Sequence, residues 1–88
     1  MNAQNINSTA DIYDLVEKLK IECRNNGLGD LATQLDGAMS LGSSGLEILG
    51  AIRKVFVENR TTIEHLLGPT GRERSGQVIA FVDKAFGR

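Results

Sequence analysis

The chain has one histidine, His65, and one cysteine, Cys23, and any nucleophilic or metal chemistry would have to start from these two. A thiol nucleophile needs a base beside it and an exposed, electropositive setting. Cys23 instead lies in register with Ile12, Leu15, Val16 and Leu19 on a helical apolar stripe, where a free cysteine behaves as a small core residue. A zinc site needs three or four His, Cys or carboxylate ligands, and no second His or Cys exists to build one. Carboxylates three residues apart do occur, Asp11 with Asp14 and Asp14 with Glu17, but near the start of a helix they suit the dipole without any catalytic role. The residue types therefore point to no catalytic residue, no metal and no cofactor, and an enzyme is not expected.

Two glycine-rich stretches could bind anions. In "SLGSSGLEILGAI" (40–52) no Lys follows the glycines and no strand precedes them, so the pattern of a phosphate-cradling loop is missing. Ser44 and Glu47 instead have capping-box spacing, and Glu47 places a carboxylate where a second anion would be repelled. In "GPTGRERSG" (68–76), Arg72 and Arg74 fall in the first turn of a helix. They are read as solvated side chains partly balanced by Glu73, with an anion or acidic-partner site as the alternative.

Helices are the elements that hold these residues. Ser8 with Asp11 starts the first, and Asn25-Asn26-Gly27 ends it, with Gly27 as its left-handed cap. Leu28, Leu31, Leu35 and Met39 mark a shorter second helix containing Gly37, which would let a neighbouring helix approach closely. Ser44 opens a third, with Ile48, Leu49, Ile52, Val55 and Phe56 as its apolar stripe. This helix either runs on to Leu67, or breaks near Arg60 with Thr61 and Glu64 as a second capping box. Gly68-Pro69 ends it. Thr70 and Glu73 cap the last helix, whose apolar face is Val78, Ile79, Val82, Ala85 and Phe86. The expected fold is all-α: a single-domain bundle of four helices, or five if the chain breaks at Arg60. Residues 1–8 form a disordered tail and 9–88 the domain. The core is expected from Leu15, Val16, Leu19, Leu31, Leu35, Ile48, Leu49, Ile52, Val55, Phe56, Leu66, Val78, Ile79 and Val82.

Eighty-eight residues make one small domain with a thin stability margin, to which self-association or a partner would add. The net charge is −1, but its distribution is uneven: residues 1–50 carry −4 and residues 51–88 carry +3. The uneven charge either joins the two halves or selects a partner. Few aromatics and a slightly acidic balance weigh against nucleic acid, leaving the last helix with Arg72, Arg74, Lys84 and Arg88 as the only candidate for it. Apolar runs are too short to span a membrane, and the first residues lack the basic and apolar regions of a signal peptide, so a cytoplasmic location is expected.

The stretch "LATQLDGAMSLGSSGLEILGAIR" (31–53) resembles a pattern of small bacterial helical proteins, in which a short helix leads through a Gly-Ser turn into a "TEIL"-like helix start. Leu46 stands where that pattern has Thr, which leaves the cap to Ser44. The resemblance implies an all-α bacterial protein and, more loosely, a small helical inhibitor of the immunity-protein type whose partner is a toxin. The expectation is a non-enzymatic interaction module. Its partner-binding surface would be the acidic side chains Asp11, Asp14, Glu17, Asp30 and Asp36, facing a basic protein. The alternatives are a regulator binding nucleic acid through the last helix and a self-associating (homo-oligomeric) adaptor.

Overall fold

The computed structural model describes residues 5–41 and 44–87. The elements are α1 (Thr9–Asn25), α2 (Gly29–Met39), α3 (Gly45–Glu58), α4 (Arg60–Leu67), a 3-10 turn (Gly68–Thr70) and α5 (Gly71–Ala85), and no strand occurs among the described residues. The radius of gyration, 12.0 Å, is close to the value of about 12 Å expected for a compact chain of this length. None of the described helices is long and apolar enough to cross a membrane.

The hairpin α1–α2 is built from local signals. Ser8 Oγ accepts the N–H of Asp11 at 3.2 Å. The short Asp11 side chain reaches past Ser8 and accepts the N–H of Asn7 at 2.9 Å, so two N–H groups are satisfied at this end. At the other end Gly27 adopts φ 72°. Leu28 N–H then donates to Cys23 O at 2.8 Å and Gly27 N–H to Arg24 O at 3.5 Å, the paired bonds of a Schellman turn. The chain reverses in three residues and α2 packs along α1.

The break after α3 falls at Asn59, and the second capping box does not form: Thr61 lies inside α4 and α4 has no side-chain cap. Asn59 N–H donates to Val55 O and Asn59 O accepts from Ile63 N–H, so the helical ladder bends here without being lost. The Asn59 amide donates to Val55 O and to Gln34 Oε1 of α2, which fixes the bend against the hairpin.

α5 folds back along α3 and α4 as an antiparallel neighbour. Steps forward along α3–α4 match steps backward along α5: Gly50 meets Phe86, Arg53 meets Asp83, Arg60 approaches Gly76, and Glu64 meets Gly71. The Thr70 cap is not made; the 3-10 turn leads directly into α5, and Thr70 has neither extended backbone nor a capping bond. Gly71 has an ordinary φ of −60°, and its need is for space: a Cβ there would collide with the Glu64 carbonyl. The close approach expected of Gly37 is made by Gly71 instead, since nothing lies within 4 Å of a Cβ at Gly37.

The core joins all five helices. Ile12, Leu15, Val16, Leu19, Leu35, Ile52, Phe56, Ile63, Val78 and Val82 are buried, along with Cys23. Ile48, Leu66 and Ile79, expected in the core, pack against its edge and are only partly buried. Ala85 and Phe86 are exposed, because α5 turns Gly71, Ser75, Val78 and Val82 inward. The missing side chain of Gly71 brings α5 close to α4. The described residues of the expected tail, 5–8, make contacts with the domain. Ile6 joins the core, its N–H donating to Gln77 Oε1 at 3.1 Å. Residues 1–4 lie outside the described residues.

Candidate functional site

The five carboxylates expected to form a partner surface divide into two groups. Asp36 is a strut between helices: its Oδ1 lies 2.6 Å from Lys20 Nζ and its Oδ2 3.1 Å from Arg24 Nη2. Glu17 completes this network at 3.0 Å from Lys20 Nζ. The Lys20 side chain is only 12% exposed, so among the described residues this is the one ion network with a well-covered cation. The hydrogen bond to Asp36, and then that to Glu17, raises the Lys20 pKa against the opposing effect of burial. The same Lys20 bond lowers the Asp36 pKa. Asp11 is engaged at the helix cap. Asp14 and Asp30 are exposed, as is Glu22, and none of the three has an ion-pair partner among the described residues. The acidic surface of the hairpin is thus carried by Asp14, Glu22 and Asp30. Glu22 belongs to the same exposed face of α1 as Asp14 and Lys18 by its spacing, a signal already present in the sequence.

The basic end is less convergent than its sequence suggests. Arg72 is 89% exposed, with Nε 3.8 Å from Glu64 Oε1; Arg60 Nε holds the other oxygen of Glu64 at 2.9 Å. Arg74, two residues on, leaves the helix about 200° around from Arg72. It is half-buried, with a shielded Nε that has no hydrogen-bond partner among the described residues. Lys84 is exposed on a third bearing, and Arg88 lies outside the described residues. No single basic stripe runs along α5 for a nucleic-acid groove. Nearer its end, Arg53 and Asp83 form an ion pair across α3 and α5. Nε and Oδ1 approach to 2.6 Å without hydrogen-bond alignment, while Nη2 donates to Oδ2 at 3.4 Å.

The remaining candidate groups have structural roles. Ser44 Oγ accepts Glu47 N–H at 3.2 Å, so the serine caps α3; Gly42 and Ser43 of the same loop lie outside the described residues. Cys23 is buried in the core, and burial pushes its thiol pKa up, away from the reactive thiolate. His65 is exposed in the last turn of α4. No cluster of three or more metal-ligating side chains occurs among the described residues.

A feature that the sequence reading passed over surrounds α3. Of the five large apolar side chains left exposed among the described residues, Leu46 and Val57 lie on this helix, Leu41 and Phe86 border it, and Ile21 lies elsewhere. Two open grooves flank it. One, of about 220 Å³ between α3 and α5, is lined by Gly50, Lys54, Val57 and Phe86 among others. The other, of about 300 Å³ between α2 and α3, is lined by Gly37, Leu41, Ala51, Lys54 and Glu58 among others. The missing side chain of Gly37 thus opens this groove. The sequence signal was Leu46, Gly50, Arg53 and Val57 at i, i+4, i+7 and i+11, a second stripe beside the core stripe of the same helix.

No protein-family model, no curated protein and no solved structure matches the chain.

Proposed function

We propose that this protein is a non-enzymatic interaction module, and that the acidic hairpin surface carrying Asp14, Glu22 and Asp30 meets a basic protein. A toxin held by a small inhibitor of the immunity type is the kind of partner this reading has in view. The observation that carries it is the contrast in how charge is used. Asp36, Glu17, Asp83 and Glu64 are neutralised within the bundle, whereas Asp14 and Glu22 of α1 and Asp30 of α2 are left to solvent. Complementary surface charge of this kind chiefly raises the rate of encounter and selects the partner. A reducing, cytoplasmic setting suits a chain whose single thiol is buried and unpaired.

The experiment is capture of the partner from the native host, followed by association kinetics at several salt concentrations. The double reversal Asp14→Lys with Asp30→Lys should slow association and flatten its salt dependence. Reversal of Arg72 should leave both unchanged. Loss of binding on reversal of Arg72 alone would move the site to the basic end. Retention on DNA at physiological salt would replace the protein partner with nucleic acid.

A further inference from the structure

The outward ridge of α3 between its two grooves carries Glu47, Lys54 and Glu58, at i, i+7 and i+11. All three are exposed and none has an ion-pair partner among the described residues, unlike Arg53 and Arg60, which α5 and α4 neutralise. Val57, 47% exposed, lies beside Lys54 and Glu58 on this ridge. α3 thus presents a face of mixed charge, with apolar side chains exposed along it and grooves on both sides.

We propose that α3 is a self-association surface. It pairs antiparallel with α3 of a second copy about a two-fold axis passing close to Val57, with Lys54 of each copy facing Glu58 of the other. The charge pattern selects this occupant. A partner of one sign would gain at Lys54 what it loses at Glu58, whereas a two-fold copy meets both charges with their opposites at once. The exposed Val57 side chains then meet at the centre, where water is excluded, and Leu41, Leu46 and Phe86 widen the apolar contact around them. A standard interface takes about 800 Å² from each partner, roughly one-seventh of the 5273 Å² that this chain exposes. One face of a molecule with extents of 33 × 27 × 20 Å can supply that area. The inference goes beyond the basic-partner reading and uses none of its residues.

Sedimentation equilibrium of the purified chain alone, from low micromolar to near-millimolar concentration, tests it. The wild type should show a monomer–dimer equilibrium. Lys54→Glu and Glu58→Lys should each weaken the dimer by about tenfold or more, because each sets like charges face to face. The decisive arm is an equimolar mixture of the two variants. One then presents only carboxylates and the other only ammonium groups at the paired positions, so a heterodimer should re-form. Lys54→Gln and Glu58→Gln, which remove charge without reversing it, should weaken the dimer less, and circular dichroism should show every variant folded. A wild type that stays monomeric throughout overturns the proposal. So does a dimer indifferent to Lys54 and Glu58, or a mixture that fails to recover association. Because no second protein is present, failure to bind a basic partner leaves this result untouched.

Discussion

The hairpin α1–α2 and the half formed by α3, α4 and α5 are held together by different means. The hairpin relies on groups close in sequence: a serine cap, a glycine reversal and an ion network within and between adjacent helices. The second half relies on fit between distant residues. Gly71 gives way to the Glu64 carbonyl, Phe86 lies over Gly50, and Ser75 is fully buried. Periodicity and capping rules read the first kind of design directly. They cannot read the second, because whether a glycine serves a torsion or a contact depends on what folds against it.

The largest effects should come from the second half. Ile63 is the one side chain of α4 that is fully buried. Ile63→Ala should cost about 2–5 kcal/mol in denaturant unfolding, although Ile63 stood outside the core expected from sequence. Loss of less than about 1 kcal/mol would show that α4 is held by something other than this contact. Gly71→Ala should be destabilising by about 1–3 kcal/mol, since the new methyl has only backbone to displace. Ala at Gly37, where there is open space, should be neutral or stabilising by up to roughly 1 kcal/mol. The reverse order of these two glycine variants would invalidate the packing of α5 on α4.

A middling effect is expected at the hairpin strut, and it should depend on pH. The Asp36 pKa is lowered in the folded protein, so its contribution is present above its unfolded value of about 3.9 and is lost as pH falls through the lower folded value. Lys20, whose pKa is raised, contributes fully below its unfolded value of about 10.4 and loses that contribution as pH rises through the higher folded value. Asp36→Asn should therefore lower the melting temperature at neutral pH and reduce the loss of stability on acidification. Parallel acid profiles for the two proteins would mean that the strut is not a determinant of stability.

The smallest effect sets a local rule against a tertiary one. Ser75 Oγ is buried without a hydrogen-bond partner among the described residues. Ser75→Ala should thus be neutral or stabilising by about 1 kcal/mol. At the exposed Ser44 cap the same replacement should destabilise by about 0.5–2 kcal/mol. Equal effects at the two serines would erase the distinction.

The helical class, the α1 stripe, the Gly27 reversal and the Ser44 cap were legible because each is a pattern within one or two turns. The Asn59 bend was visible only as a choice, since Thr61 and Glu64 imitate a cap that Asn59 and Gln34 make unnecessary. The acidic surface was legible as composition, but not in its members. Asp36 counts as a free carboxylate in the sequence until α2 places it against Lys20 and Arg24. The α3 ridge escaped notice because Leu46 and Val57 read as ordinary apolar residues beside a stronger core stripe.

The division between an acidic hairpin and a self-pairing α3 can be tested by following backbone amide resonances while the purified protein is diluted. Shifts should be confined to the span from Leu46 to Glu58, to Leu41 and to Phe86, with Asp14, Glu22 and Asp30 unmoved. Dilution shifts centred on those three acidic residues, or none anywhere at near-millimolar concentration, would contradict the assignment of self-association to α3.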